Sequence, residues 1–119
     1  MVNGVEKTPK DWHEVESRLV FKGEFVEGLY RIRESDRIWI IFGFHRTRET
    51  RMKVRPRKAK DSSRVGIFAS RGIQRPNRLG LTLVTLVDVR QGDLVVRGLD
   101  AFDGSPVYDV KPYDPDYDR

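Results

Sequence analysis

The sequence contains no cysteine. That absence excludes a disulfide framework, a thiolate metal site and a cysteine nucleophile. Histidine is almost as scarce, since only His13 and His45 are present, so a histidine-rich metal centre is not expected. No Ser, His and acid set stands at a hydrolase spacing, and no pair of carboxylates is marked out for glycoside or ester hydrolysis. The ten glycines never fall in the spacing of a dinucleotide-binding turn between strand and helix, which argues against a doubly wound nucleotide fold. Long hydrophobic runs are also missing. The longest, IWIIFGF at 38–44, is far too short to cross a bilayer, and the opening MVNGVEKTPKD lacks an apolar signal core. A soluble, cytoplasmic protein with no metal and no membrane partner is expected.

What is present fits one small domain over 1–119, because 119 residues and 13.9 kDa suffice for one core. Positive charge exceeds negative, 23 Lys and Arg against 18 Asp and Glu, and the excess is unevenly placed. RTRETRMKVRPRKAKDSSR (46–64) holds nine basic residues against Glu49 and Asp61, whereas YDVKPYDPDYDR at the other end of the chain is acid-rich. Such a basic loop either is a solvated surface or suits a polyanion such as RNA, whose neutralised phosphates release counterions.

Strand signals dominate. SRLVFK (17–22), RIWIIFGF (37–44), RVGIFAS (64–70), GLTLVTLVDV (80–89), DLVVRGLD (93–100) and PVYDVKPY (106–113) are rich in branched and aromatic residues. The turns RQGD (90–93) and FDGSP (102–106) predict that the last three strands form a meander. Only EFVEGLYRI (24–32) has helical spacing, with Phe25, Val26, Leu29 and Ile32 on one side and Gly28 weakening it. The predicted fold is mainly β: a small closed or partly open barrel with at most one or two short helices.

Candidate functional residues cluster in SRGIQRPNRLGLT (70–82) and GLDAFDGSPV (98–107). Arg71, Arg75 and Arg78 offer planar guanidinium forks for a carboxylate or phosphate, and Asn77 could read an adenine edge; a plain polar turn built on Pro76 and Asn77 is the alternative. Asp100 and Asp103 could accept bonds from ribose hydroxyls or simply belong to a turn. His45 could position a ligand, relay a proton or be structural. Asp109 and Lys111 alternate with Tyr108 and Val110, so they are expected to share one face of a strand and to take part in an ordinary cross-strand ion pair.

Taken in order, FGFH (42–45), VGIFASR (65–71), RPNRLGLT (75–82), VRGLDAFDGSPV (96–107) and DVKPY (109–113) resemble the TrmO family, also called TsaA-like or YaeB-like proteins, over about 37–113. GVEKTPKD (4–11) is similar to a worn version of the family's opening strand and its Arg-Ser-Pro turn. The resemblance implies a small β-barrel that binds S-adenosylmethionine, as a homodimer with the cofactor near the subunit interface, and methylates N6 of threonylcarbamoyladenosine beside the tRNA anticodon. Carried over by position, His45 and Arg46 match a cofactor-contacting histidine and its neighbour. Arg71 matches the arginine after the phenylalanine-containing strand, Leu81 the apolar residue after the RPN loop, and Asp100, Ala101, Phe102 and Asp103 the cofactor loop. Arg75, Pro76 and Asn77 match the signature tripeptide, expected to shape the site and meet substrate. Arg48, Arg51, Lys53, Arg55, Arg57 and Lys58 are expected to hold the RNA backbone. No residue is marked out as the catalytic base.

The chain departs from the family pattern in three places. KDWHEV passes almost directly into ESRLVFKG without the family's polar loop, Arg78 stands where the second proline of RPNP is usual, and a domain without the family's carboxy-terminal tRNA-binding extension is expected. The alternative to an enzyme is therefore a β-barrel module that binds S-adenosylmethionine or RNA and has lost part of the cofactor site.

Overall fold

The computed structural model describes residues 2–3, 12–56 and 63–118. GVEKTPKD, Arg57, Lys58 and most of the basic loop beyond them lie outside the described residues. Among the described residues eight strands are present: β1 (Val2–Asn3), β2 (Glu16–Val20), β3 (Arg37–Gly43), β4 (Lys53–Val54), β5 (Val65–Gly66), β6 (Leu79–Arg90), β7 (Asp93–Arg97) and β8 (Val107–Pro112). Six form one antiparallel sheet in the order β1-β2-β7-β6-β3-β8, and β4 and β5 form a separate two-stranded ribbon. No pairing joins β1 to β8 among the described residues, so the expected barrel takes its partly open form.

The alternation of the strands accounts for one buried face. Ile38, Ile40 and Phe42 point inward from β3, Val84 from β6, and Leu94 and Val96 from β7, joined by Leu19 of β2 and by Leu99 and Ala101. Each large side chain fully removed from water contributes about 1.5–3 kcal/mol, so this row supplies most of the cohesion of the sheet. Phe42 faces Gly80 across the β3–β6 register, and the ring lies where a side chain on residue 80 would start: a Cβ there would sit 2.5 Å from the Phe42 ring. On the opposite face Trp39 donates its indole N–H to Asp118 at 3.0 Å, and Asp118 also accepts the Asp114 N–H at 2.9 Å, which clasps the end of the chain to β3.

Two expectations require correction. The last three strands are not a meander: β6 and β7 form the predicted hairpin, but β8 pairs with β3 and not with β7. The 98–106 segment is consequently a long connection that crosses the end of β6 and β3, and burial of Leu99, Ala101 and Ser105 holds it there. RVGIFAS is not a full strand; after the two residues of β5 the chain turns into a 3-10 segment, Ile67–Ala69, because β4 offers only Lys53 and Val54 as partners. The short helical structure expected over EFVEGLYRI is present as two 3-10 segments, Gly23–Leu29 and Ile32–Glu34. Arg31 between them lies in the left-handed region at φ 66°, which breaks a continuous helix. Leu29 and Ile32 pack on the core as predicted, while Phe25 is exposed. No helix among the described residues is long and apolar enough to cross a membrane.

Candidate functional site

β6 is twice as long as most of its neighbours, and its two halves differ. Residues 79–85 pair with β3 on one side, whereas β7 pairs only from Thr85 onward. The first half of β6 therefore has an edge that β7 does not cover. Three segments converge on it: the turn that follows β3, the 70–78 loop that enters β6, and the 98–106 connection.

The loop is braced from within. Ser70 donates its hydroxyl to the Ile67 carbonyl at 3.0 Å and accepts the Gly72 N–H at 3.1 Å. Arg75 donates Nη1 to the carbonyls of Ser70 and Gly72 at 2.9 and 3.1 Å, and its guanidinium lies 5.8 Å from the centre of the Phe68 ring. A planar donor with several N–H groups is the side chain best suited to tie two carbonyls of one loop. Asn77 closes the turn through its backbone, its carbonyl accepting the Leu79 N–H at 2.8 Å. Arg71 reaches out of the loop and donates Nη2 to the Leu81 carbonyl at 2.5 Å, satisfying an acceptor of β6.

The other two segments meet at His45. Its Nδ1 lies 3.2 Å from Oγ of Ser105, and Ser105 is only 2% exposed, so this buried hydroxyl finds its partner in the imidazole. Gly104, at φ +82°, runs beside His45 Nε2, a conformation glycine adopts without the Cβ strain of other residues. Arg46 stacks its guanidinium 4.8 Å from the centre of the Phe102 ring, a cation–π geometry. Asp100 accepts the Thr82 hydroxyl at 2.7 Å, which ties the connection to the uncovered part of β6.

Charge is divided along the molecule. Toward the β6–β7 hairpin and β2 the arginines are paired: Arg18 with Asp93, Arg33 and Arg90 with Asp88, Arg97 with Glu16. The Asp88 carboxyl is held below its ordinary pKa, chiefly by the hydrogen bond from Arg90 and then by the Val89 N–H. Around the three converging segments, Arg46, Arg48, Arg55, Arg71, Arg75 and Arg78 have no carboxylate within ion-pair distance among the described residues; Arg51, paired with Glu49 at 3.0 Å, is the exception. An unneutralised positive field thus surrounds this end of the sheet.

The tRNA-methyltransferase O N-terminal domain family matches residues 2–119. The chain belongs to that family. It is 42% identical over 84 residues to the tRNA (adenine(37)-N6)-methyltransferase of Escherichia coli, covering 66% of this chain and 36% of that protein. An S-adenosyl-L-methionine-binding protein of Archaeoglobus fulgidus is 33% identical over 102 residues, covering 86% of this chain and 72% of that one. The crystal structure of TrmO from Pseudomonas aeruginosa superimposes with a TM-score of 0.79 at 27% identity, covering 98% of this chain and 54% of the other. The chain spans 38% and 40% of the length of two further Pseudomonas aeruginosa relatives.

In this TrmO-family chain the residues singled out from sequence fall into distinct positions. Arg71 and Asp100 contact the uncovered part of β6 at Leu81 and Thr82, while His45 and Arg46 contact the 98–106 connection at Ser105 and Phe102; Leu81 and Phe102 are 42% and 40% exposed. Ala101 is 3% exposed, with its methyl group in the core, so only its backbone can face a ligand. Asp103 lies in the turn before Gly104. Arg75 is committed to its own loop, and Pro76 and Asn77 are exposed beside it. Arg48, Lys53 and Arg55 are exposed on the basic arm, with Arg51 partly neutralised by Glu49. Asp109 and Lys111 pair with each other at 3.3 Å along β8 and not across strands as expected. Thr82 and Ser105 were not singled out from sequence, because what distinguishes each is a partner distant in the chain, and Phe68 was not because only the fold of the loop sets it beside Arg75; the small polar residue following Asp-Gly in FDGSP was the available signal for Ser105.

Proposed function

We propose that this chain is an S-adenosylmethionine-dependent RNA methyltransferase that acts on N6 of an adenosine next to the tRNA anticodon, with threonylcarbamoyladenosine as the nucleoside. The observation that carries this reading is that Arg71 and Asp100 meet β6 at the adjacent residues Leu81 and Thr82, with His45 joined to the same 98–106 connection through Ser105. The residues there fit the cofactor by chemistry. A guanidinium without a carboxylate partner suits the methionine carboxylate, a carboxylate beside a hydroxyl suits the ribose hydroxyls or adenine amino group, and the half-exposed Leu81 and Phe102 offer apolar surface for a base. The cofactor, when bound, supplies an activated methyl group on a sulfonium.

The rest of the work falls to the protein and is mainly positioning. Arg71 and Asp100 would hold the cofactor's two ends, and Thr82 fixes the Asp100 carboxylate for that purpose. Ser105 orients the His45 ring, so that Nε2 is the nitrogen left to face a ligand. In-line approach of an amine nitrogen needs orientation and desolvation more than covalent assistance. An anticodon-loop base is unpaired and can be splayed into such a site, while Arg48, Lys53, Arg55, Arg57 and Lys58 hold phosphates. A second copy of the chain completes the pocket; the half-exposed Leu79 and Leu81 support burial against a partner.

The test is direct. S-adenosylmethionine is expected to raise the melting temperature, Arg71→Ala to abolish the rise, and labelled methyl to reach threonylcarbamoyl-tRNA. Absence of heat in calorimetry at millimolar cofactor would sink the proposal, and cofactor binding without methyl transfer would reduce the chain to a binding module.

A further inference from the structure

Arg78 differs from the other arginines at this end of the sheet. Arg75 has two carbonyl acceptors, Arg71 has one, and Arg46 has an aromatic ring. Arg48 is exposed, where water satisfies a guanidinium. Arg78 is half-buried, its Nε is buried with no hydrogen-bond partner, and Nη2 makes only a long 3.5 Å contact with the Thr50 hydroxyl. Its backbone is nevertheless firmly held. The Arg78 carbonyl accepts the Phe44 N–H at 2.9 Å, and Leu79 pairs with Gly43, which places residue 78 beside the segment leading into His45.

Desolvating a guanidinium N–H without an acceptor is unfavourable, so folding stability does not account for this arrangement. We propose that Arg78 is the receptor for an oxyanion of the RNA substrate, supplied either by the carboxylate on the side chain of the modified adenosine or by an adjoining phosphodiester. The Nε and Nη2 edge of a guanidinium binds two oxygens of either group in parallel. In the free protein the Thr50 hydroxyl makes one long contact to Nη2 and Nε has no partner, so that edge keeps donor capacity for the anion. The inference rests on the proposed function for the identity of the substrate, and assigns to this site the recognition of an anion.

Equilibrium binding of anticodon stem-loop RNAs tests it without cofactor. Three RNAs are compared: one carrying threonylcarbamoyladenosine, its carboxyl methyl ester, and unmodified adenosine. If the carboxylate is the ligand, the wild-type chain prefers the acid to the ester by about tenfold, and Arg78→Gln removes that preference. If a phosphate is the ligand, Arg78→Gln weakens all three RNAs alike and lowers the salt dependence of log Kd by about one charge. Arg78→Lys retains the phosphate response better than the carboxylate preference, because an ammonium lacks the fork. Unchanged affinities, acid preference and salt slope in Arg78→Gln overturn the inference, as does failure of the wild-type chain to bind any of the RNAs. Thermal shift with S-adenosylmethionine on the same proteins reports separately on the cofactor, so loss of that reading is distinguishable from loss of this one.

Discussion

At the scale of single residues, the tightest constraint lies between Phe42 and Gly80. A Cβ on residue 80 would fall 2.5 Å from the Phe42 ring, so Gly80→Ala must displace that ring from the core. Overpacking of this kind costs about 1–3 kcal/mol, and the expected outcome is a lower urea midpoint with an unchanged slope. Asp118 sets a second, pH-dependent constraint. Its carboxyl is held below the ordinary 3.8, first by the Asp114 N–H and then by the Trp39 indole. Because the folded value is depressed, this clasp contributes in full above the ordinary carboxylate range and is lost as pH falls through the folded value. Melting temperatures measured from about pH 6 down to about pH 3 should fall less steeply in Asp118→Asn than in the wild-type chain. The variant should also be the less stable of the two at neutral pH.

At the scale of elements, the 98–106 connection and the 70–78 loop decide the site. Neither has regular structure, so each depends on side-chain ties. Removing the Thr82 hydroxyl leaves Asp100 without its donor on β6 while its surroundings stay packed. Thr82→Val is therefore expected to cost less than about 1.5 kcal/mol of stability but to weaken S-adenosylmethionine binding about tenfold in calorimetry. Arg75→Ala should have the opposite balance. It releases the carbonyls of Ser70 and Gly72, and its effect should appear first as faster amide exchange across residues 70–78. Both segments were visible as polar breaks between strands, one with Gly72, Pro76 and Asn77 and the other with Asp103 and Gly104, and their arginines and aspartates, though not Ser105, were named from sequence. That β8 would return to β3 was not legible, because the strands match β7 or β3 equally well in pattern and only the buried Leu99, Ala101 and Ser105 carry the connection across.

At the scale of the whole molecule, charge is segregated. Ion pairs neutralise the arginines of β2, β7 and the hairpin, while the end bearing the basic arm keeps its charge. RNA affinity should accordingly fall steeply with salt. The double substitution Arg48→Ala and Arg55→Ala should reduce the slope of log Kd against log salt by about two charges, whereas Arg90→Ala on the paired side should leave it unchanged. Equal slopes in both variants would show that the basic arm is a solvated surface.

Much of this was contained in the order of the residues. Alternating branched and aromatic positions in RIWIIFGF and GLTLVTLVDV require two long strands with one buried face, and the absence of cysteine and of long apolar runs leaves a small β domain stabilised by that face alone. The spacing of FGFH, RPN and GLDAFDGSP was sufficient to indicate the family. Tertiary structure decided which groups meet. Strand pairing that skips β7 brought Ser105 to His45, 60 positions apart, and Asp100 to Thr82, 18 positions apart, and no local pattern encodes such pairings. It also gave the three loop arginines different roles, since a guanidinium's function depends on which acceptors surround it: carbonyls for Arg75, the edge of β6 for Arg71, and for Arg78 an acceptor still to arrive.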